Sequence, residues 1–361
     1  MKKINVLQVI SHFDLGGAER VAINIAKSKN ERFSYHVVEV ERGCSAFSSR
    51  LMAEMRDAGI TCHRSPIKHR RLAIVLFPLW FVFLYLRLRP QVIHTHTEIP
   101  DLSLWLFRKV AWLFPWIRPR YVRTIHSTKL WNEWKQIGRI VEPFYIKHHC
   151  NVAISRATAA CYQKEWGEAN VPVLYNGVEE LPQKPFTHLV EGKVNILFAG
   201  RFEEEKGYRQ LTSVIKVLCD DDRYFFHLVG SGQGHDYLLA ELKDCNNYRI
   251  YDKIYGLASY LGSFDYLFMP SNFEGLGLMS VEASLAHTPS IINLCPGLDE
   301  VLPEGWQLAV RDNSVDEYIT IYKNVLSNEQ REKLGDRAYN YVKDKFSLLQ
   351  MQKGYESYYN N

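Results

Sequence analysis

Met269-Pro-Ser-Asn-Phe-Glu-Gly-Leu-Gly-Leu-Met-Ser-Val-Glu282 is the stretch that decides the fold. The apolar run Tyr266-Leu-Phe-Met269 leads into it, and Gly275 and Gly277 lie between Glu274 and Glu282. This reads as a strand, a glycine loop and the start of a helix. The first N–H groups of a helix have no intrahelical partner, so such a loop is a seat for a phosphate or another anion. Two carboxylates would repel that anion if they touched it, so they are assigned to hydroxyls on a neutral part of the same ligand. A sugar nucleotide carries both kinds of group. Either glutamate alone would read as an exposed helix residue; the combination carries the reading.

Outward from this unit, strands and helices alternate along the whole chain, the pattern of parallel sheets covered by helices. Strands are expected over 6–10, 36–40, 92–94, 121–125 and 152–154, with helices such as 18–27, 47–58, 72–88 and 156–166. The turn-rich piece at 175–185, Tyr-Asn-Gly-Val-Glu-Glu-Leu-Pro-Gln-Lys-Pro, interrupts the alternation. Strands then resume over 194–200, 225–229, 266–269 and 290–292. The expected fold class is α/β, two Rossmann-like doubly wound domains facing a cleft at their C-terminal strand edges, where such sheets bind ligands. The domains are drawn at 1–180 and 181–345, and a last helix at 346–361 is expected to pack back toward the first. A chain of 361 residues is long enough for two such cores.

Two more glycine-bearing strand ends are expected to point at that cleft. Asp14-Leu-Gly-Gly-Ala-Glu-Arg20 follows the first strand. With Glu39 and Glu41 about 20 residues on it imitates a dinucleotide fingerprint, but it lacks the full G-x-G-x-x-G spacing. In Gly200-Arg-Phe-Glu-Glu-Glu-Lys-Gly207, Arg201 follows a strand and Lys206 opens the next helix, so both cations can reach a diphosphate and stabilise its charge without a metal. A surface ion-pair cluster with Glu203, Glu204 and Glu205 would account for the same segment. His94 and His96 share a strand face, as metal ligands can, but no third ligand matches them. His126, in Thr-Ile-His-Ser-Thr, is the strand-end histidine assigned to contact substrate.

Composition narrows the partners. The seven cysteines are scattered and never form Cys-x-x-Cys, which speaks against a disulfide framework or a zinc knuckle and fits a reducing cytoplasm. The first ten residues read as a buried strand, because the apolar run is short and no small-residue cleavage site follows. Residues 1–180 carry 26 Lys and Arg against 15 Asp and Glu, whereas 181–361 carry 18 against 25. Six of the eight tryptophans fall between Trp80 and Trp134, in the basic half. Basic side chains mixed with Trp and Phe suit an anionic membrane surface. Nucleic acid would accept the same patch, but the continuous apolar run from Leu72 to Leu86 helps insertion into lipid and does nothing for a phosphate backbone. That run of 15 residues, with Pro78 inside, falls short of the ~20 that span a bilayer. A buried crossover helix is its alternative reading.

In these residues the chain resembles retaining glycosyltransferases of the GT-B fold, the family 4 type known as glycosyl transferases group 1, over residues 6–301. The motifs occur in that family's order: Gly16–Glu19, His126, the Ser155 segment, Asn176-Gly177-Val178, Gly200-Arg201 with Lys206-Gly207, Gly230-Ser-Gly232 and the Glu274–Glu282 loop. By that resemblance Arg201 and Lys206 bind the donor diphosphate and Glu282 the ribose hydroxyls. Glu274, with the backbone of Gly275, Leu276, Gly277 and Leu278, holds the donor sugar, Gly17 and His126 line the acceptor side near the reacting carbon, and Gly16 with Gly17 is counted among the residues that bind the nucleotide-sugar. The resemblance implies no metal or other cofactor. It implies a UDP-sugar donor and a saccharide acceptor; the Trp80–Trp134 patch and the charge split add the expectation that the acceptor is lipid-linked, in polysaccharide or lipopolysaccharide assembly on the cytoplasmic face of a membrane. His287-Thr-Pro-Ser290 and Cys295-Pro-Gly-Leu298 depart from the family pattern near the nucleotide end. A sugar-nucleotide epimerase of the same architecture and a noncatalytic partner subunit are the alternatives.

Overall fold

The computed structural model describes residues 3–14, 16–113, 116–324, 326 and 328–360. The chain forms two compact units, Met1–Gly177 with Leu348–Asn361, and Val178–Ser347.

In the first unit the elements run β1 (Ile4–Ile10), α1 (Gly17–Ala26), β2 (Phe33–Glu39), α2 (Ala46–Asp57), β3 (Thr61–His63), α3 (Arg70–Leu88), β4 (Val92–His96), α4 (Glu98–Ala111), β5 (Arg120–Ile125), α5 (Lys135–Lys147), β6 (Asn151–Ala153) and α6 (Arg156–Trp166). The second unit holds β7 (Val194–Ala199), α7 (Tyr208–Val217), β8 (Tyr224–Val229), α8 (His235–Glu241), β9 (Tyr248–Tyr251), β10 (Tyr266–Met269), α9 (Leu278–Leu285), β11 (Ser290–Asn293), β12 (Ala309–Val310), α10 (Val315–Asn324) and α11 (Asn328–Lys345). The final helix, α12 (Leu348–Asn360), returns to the first unit.

Both sheets are six-stranded and parallel, ordered β3-β2-β1-β4-β5-β6 and β12-β11-β10-β7-β8-β9. Each reverses its winding between two central strands, β1 and β4 in one and β7 and β10 in the other, which is the doubly wound order expected from the alternation. The central strands are apolar on both faces because helices cover both: Val6, Leu7, Val9 and Ile10 of β1, and Ile196 and Leu197 of β7, are buried. Ser155 caps α6 by accepting the Thr158 N–H at 3.0 Å.

Arg123 of β5 is fully buried and donates to Asp101 of α4 at 2.7 Å and to Glu142 of α5 at 2.7 and 2.9 Å. Tyr162 and the Trp131 indole also donate to Glu142. One cation thus pins two helices to one strand.

α3 is 19 residues long and Pro78 lies inside it. The expectation that this apolar segment is too short to span a bilayer is corrected, since Arg70, Arg71 and Arg87 at its ends are helical too. By length and composition it is long and apolar enough to cross a membrane. Pro78 lacks the N–H that would bond four residues back, and packing of α3 against α4 carries the helix through it.

Candidate functional site

In the second unit β10 pairs with β7, with Tyr266 opposite Ile196 and Leu267 opposite Leu197, so the loops leaving their C-terminal ends are neighbours. The first loop runs from Gly200 through a 3-10 turn at Glu204–Lys206 to Gly207. Gly207 has φ +69°, and a Cβ there would collide with the Pro270 carbonyl of the second loop. The loops are also stitched by the Asn272 N–H, which donates to the Glu205 carbonyl at 2.9 Å.

This contact brings Lys206 onto Glu274. The ammonium bonds both carboxylate oxygens, at 2.7 and 2.8 Å, and Ser271 donates to one of them at 2.9 Å. Glu274 is 8% exposed, so its charge is matched by one cation in a largely dehydrated place. Arg201 lies on the same loop, exposed, and pairs with Glu205. The surface-cluster alternative therefore describes Arg201 in this state and not Lys206. Gly277, at φ +68°, turns the chain into α9, whose N–H groups begin at Leu278. Gly275 and Leu276 form the loop, and Glu282 is half-buried on α9.

Sequence reading missed the scaffold beneath Glu274. Asn293, ending β11, donates to the Ser271 carbonyl at 2.8 Å, and Asn313 donates to the Pro270 carbonyl at 2.7 Å. Tyr318 of α10 in turn donates to Asn313 at 2.8 Å. These residues come from separate segments, so no spacing in the sequence signals them.

In the first unit, Gly16 precedes α1 in extended conformation and Gly17 opens it. A side chain at Gly16 would strike the Glu19 carboxylate, while nothing lies within 4 Å of a Cβ at Gly17. Burial raises the Glu19 pKa, and nearby His12 opposes that shift. Glu39 is no ribose ligand: its buried carboxylate accepts from the N–H groups of Phe13, Gly43 and Ser65 and from Arg64, at 2.9 to 3.2 Å. That takes Glu39 out of the dinucleotide reading of the first loop, and Glu41 is paired with Arg70 at 3.0 Å. Thr97, just past β4, holds φ +75° and shares a 2.9 Å hydrogen bond with Ser11 past β1, a strained residue at the switch point.

His126, just past β5, ends a chain of hydrogen bonds that settles its tautomer. The Gln8 amide donates to the Tyr359 hydroxyl at 3.0 Å, which leaves the Gln8 carbonyl to accept from His96 Nε2 at 2.7 Å. Burial keeps His96 neutral, so its Nδ1 accepts, and the donor at 3.0 Å is His126 Nε2–H. Burial pushes His126 down to about 3, so this ring is neutral as well and its Nδ1 carries a lone pair. His94 spends both nitrogens on Tyr359 and Thr124, each at 2.7 Å. With the nitrogens of His94 and His96 committed to protein partners, that pair is not a metal site.

The model of the family Glycosyltransferase Family 4 matches residues 15–180, and that of Glycosyl transferases group 1 matches residues 181–341. An uncharacterized 41.2 kDa protein in the cps region of Klebsiella pneumoniae is 32% identical over 197 residues, 52% of this chain and 54% of that protein. The O-antigen biosynthesis glycosyltransferase WbnH of Escherichia coli is 26% identical over 40% of this chain and 41% of its own. The chain spans about half the length of the curated relatives it matches. Among solved structures, Anabaena HepE in complex with UDP and glucose superposes with a TM-score of 0.81 at 16% identity, covering 99% of both chains. At that identity the likeness is one of fold.

Proposed function

The chain belongs to the glycosyl transferases group 1, with a Glycosyltransferase Family 4 domain ahead of it, and on that premise we propose that it moves a hexose or N-acetylhexosamine from a UDP-sugar to a saccharide acceptor. The acceptor is lipid-linked, at the cytoplasmic face of a membrane, and the product enters polysaccharide or lipopolysaccharide assembly. The likeness to proteins of a cps region and of O-antigen biosynthesis supports the pathway, and the UDP complex of HepE supports the nucleotide.

The observation that carries the reading is the Lys206–Glu274 pair at the β7/β10 switch point. Unliganded, each neutralises the other. A donor diphosphate competes for Lys206 and frees Glu274 to accept from sugar hydroxyls, so one binding event loads both groups. Arg201, whose partner Glu205 is at the surface, swings onto the same diphosphate. The two cations take the place a divalent metal would fill.

Transfer proceeds with retention, by front-face attack. The acceptor oxygen bonds the anomeric carbon as the bond to the phosphate oxygen breaks, and the electron pair leaves with the diphosphate. A phosphate oxygen takes the acceptor's proton, and UDP departs. His126, neutral and with Nδ1 open as an acceptor, takes a hydrogen bond from a hydroxyl near the reacting carbon.

Thermal unfolding with UDP, GDP, ADP and CMP in chelator tests this. At a hundredfold excess over Kd a ligand adds about 2.7 kcal/mol. UDP is expected to stabilise the protein and Glu282→Ala to lose the shift. No shift with any nucleotide overturns the donor site, and epimerised sugar nucleotide released without acceptor overturns transfer.

A further inference from the structure

The first unit carries a surface that the transfer reading leaves unused. Leu72, Val75, Leu76, Leu79, Phe83 and Leu86 recur every three or four residues along α3 and are 41–65% exposed. Ile74, Phe77, Phe81 and Leu84, on the other side of the helix, belong to the core. An apolar stripe roughly 20 Å long therefore faces outward from a firmly seated helix. Past α4 the chain adds Trp112 and Leu113, 73% and 56% exposed.

Beside this stripe, α4 and α5 open a groove of about 730 Å³, lined by Arg108, Lys109, Lys147 and His148 and by the rings of Trp105 and Phe144. A second hollow shares Arg108 and His148 and continues to Arg118 and Arg120. Neither is lined by an acidic side chain. Tyr85, buried in the last turn of α3, is close enough to feel the Arg108 charge and bonds the Arg118 backbone, so the basic groove is built against the inner side of the helix that carries the stripe. Among the described residues Arg108 Nε is buried with no hydrogen-bond partner. The groove opens where β5 and β6 begin, the opposite edge of the sheet from Gly17 and His126. Across residues 58–132 the chain has only two acidic residues, Glu98 and Asp101, and Asp101 is bound to Arg123.

A second copy of the chain would cover the stripe but set the same cations against one another. A bilayer of anionic lipid supplies an apolar interior for the stripe, phosphates for the cations and an interface where tryptophan is favoured. We propose that this face docks the chain onto an anionic phospholipid bilayer, with α3 lying in the interface and the α4–α5 groove holding a headgroup phosphate. Because the inner face of α3 is built into the core, the helix lies on the membrane and does not cross it. The proposal rests on the lipid-linked acceptor for its purpose only.

The test is cosedimentation of the full chain with vesicles of phosphatidylcholine alone and of phosphatidylcholine mixed with phosphatidylglycerol. Binding is expected to the mixed vesicles and to weaken with salt. Each cation removed should cost roughly fivefold in partitioning, so Arg108→Gln with Lys109→Gln should lose about 25-fold. Lys109→Gln with Lys147→Gln, both at exposed positions, gives the same reading without disturbing packing, and Leu79→Ser with Phe83→Ser should abolish binding. Equal binding to both vesicles, or binding unchanged in these variants, overturns the proposal. So does a lipid-free dimer that Leu79→Ser with Phe83→Ser dissociates, which would assign the face to a second copy. The UDP-induced thermal shift, measured without lipid, separates the two readings: vesicle binding without that shift keeps this face and overturns the donor site, and the shift without vesicle binding does the reverse.

Discussion

Replacing Tyr359 by Phe removes one oxygen and leaves the ring. The ring keeps its edge contacts with Phe33 and Tyr35, at centroid distances of 5.9 and 6.5 Å, so apolar packing of α12 is retained. The hydroxyl, however, accepts from Gln8 and faces His94 Nδ1 at 2.7 Å, and both partners are fully buried. Losing it strands a donor and an acceptor, each at about 1–3 kcal/mol, so α12 should loosen by about 3 kcal/mol. Tyr355→Phe is the comparator. Its hydroxyl shares a 2.8 Å hydrogen bond with Thr124, and its loss should cost about 1 kcal/mol. With two units in the chain a single unfolding curve is no fair readout, so amide exchange of residues 348–360 should be followed. Nitrogen chemical shifts of His126 should report the Nε2–H tautomer in the wild type and its loss of definition in Tyr359→Phe. Exchange within about 0.5 kcal/mol of wild type would refute the claim that this hydroxyl orders the histidine chain.

Lys206→Ala should lower turnover roughly 10²–10³-fold if the ammonium stabilises the departing diphosphate; a wild-type rate in a transfer assay removes it from the site. Acid should weaken the first unit. His126 is held near 3 by burial while an unfolded histidine titrates near 6.5, so the unfolded chain binds the extra proton, and stability present above 6.5 is lost as pH falls toward 3. His126 alone should cost about 2–3 kcal/mol between pH 6.5 and 4.5, and a flat urea midpoint for that unit across this range contradicts its burial. Arg123→Ala, which leaves Asp101 without its cation and Glu142 with only the Tyr162 and Trp131 donors, should destabilise the first unit by about 3–5 kcal/mol; amide exchange of residues 120–125 matching wild type would show that neither carboxylate depends on it.

The strands that carry the site were legible because they are buried on both faces and read as short, largely apolar runs that stop at a polar residue, proline or glycine. Val6–Ile10 and Tyr266–Met269 needed no tertiary information. Short edge strands such as Thr61–His63 and Ala309–Val310 were not found, since too few residues are buried there to leave a pattern. The residue types around Glu274 were legible as a glycine loop between two acids. Their pairing was not, because Lys206 lies 68 positions away and meets Glu274 only through the β7–β10 ladder. The support from Asn293 and Asn313 and the Gln8–His96–His126 relay share that origin. Each is made by strands adjacent in a sheet and distant in the chain, and a lone Asn or Gln gives no periodic sign of what it will touch. The length of α3 was misjudged for a different reason, since the apolar run alone was counted and the helix continues through Arg70, Arg71 and Arg87 at its ends.

The return of α12 to the first unit sets an order on biosynthesis. Residues 178–347 intervene between the first sheet and the helix that completes it. At about 5–20 residues per second that insertion takes roughly 10–35 s to translate. Throughout that interval Gln8, His94 and Thr124 have emerged without Tyr355 and Tyr359, while the second unit gathers all its own strands. The unit that begins first is therefore the last to close, and a nascent chain stalled before residue 348 exposes the seat of α12 to whatever chaperone waits at the ribosome.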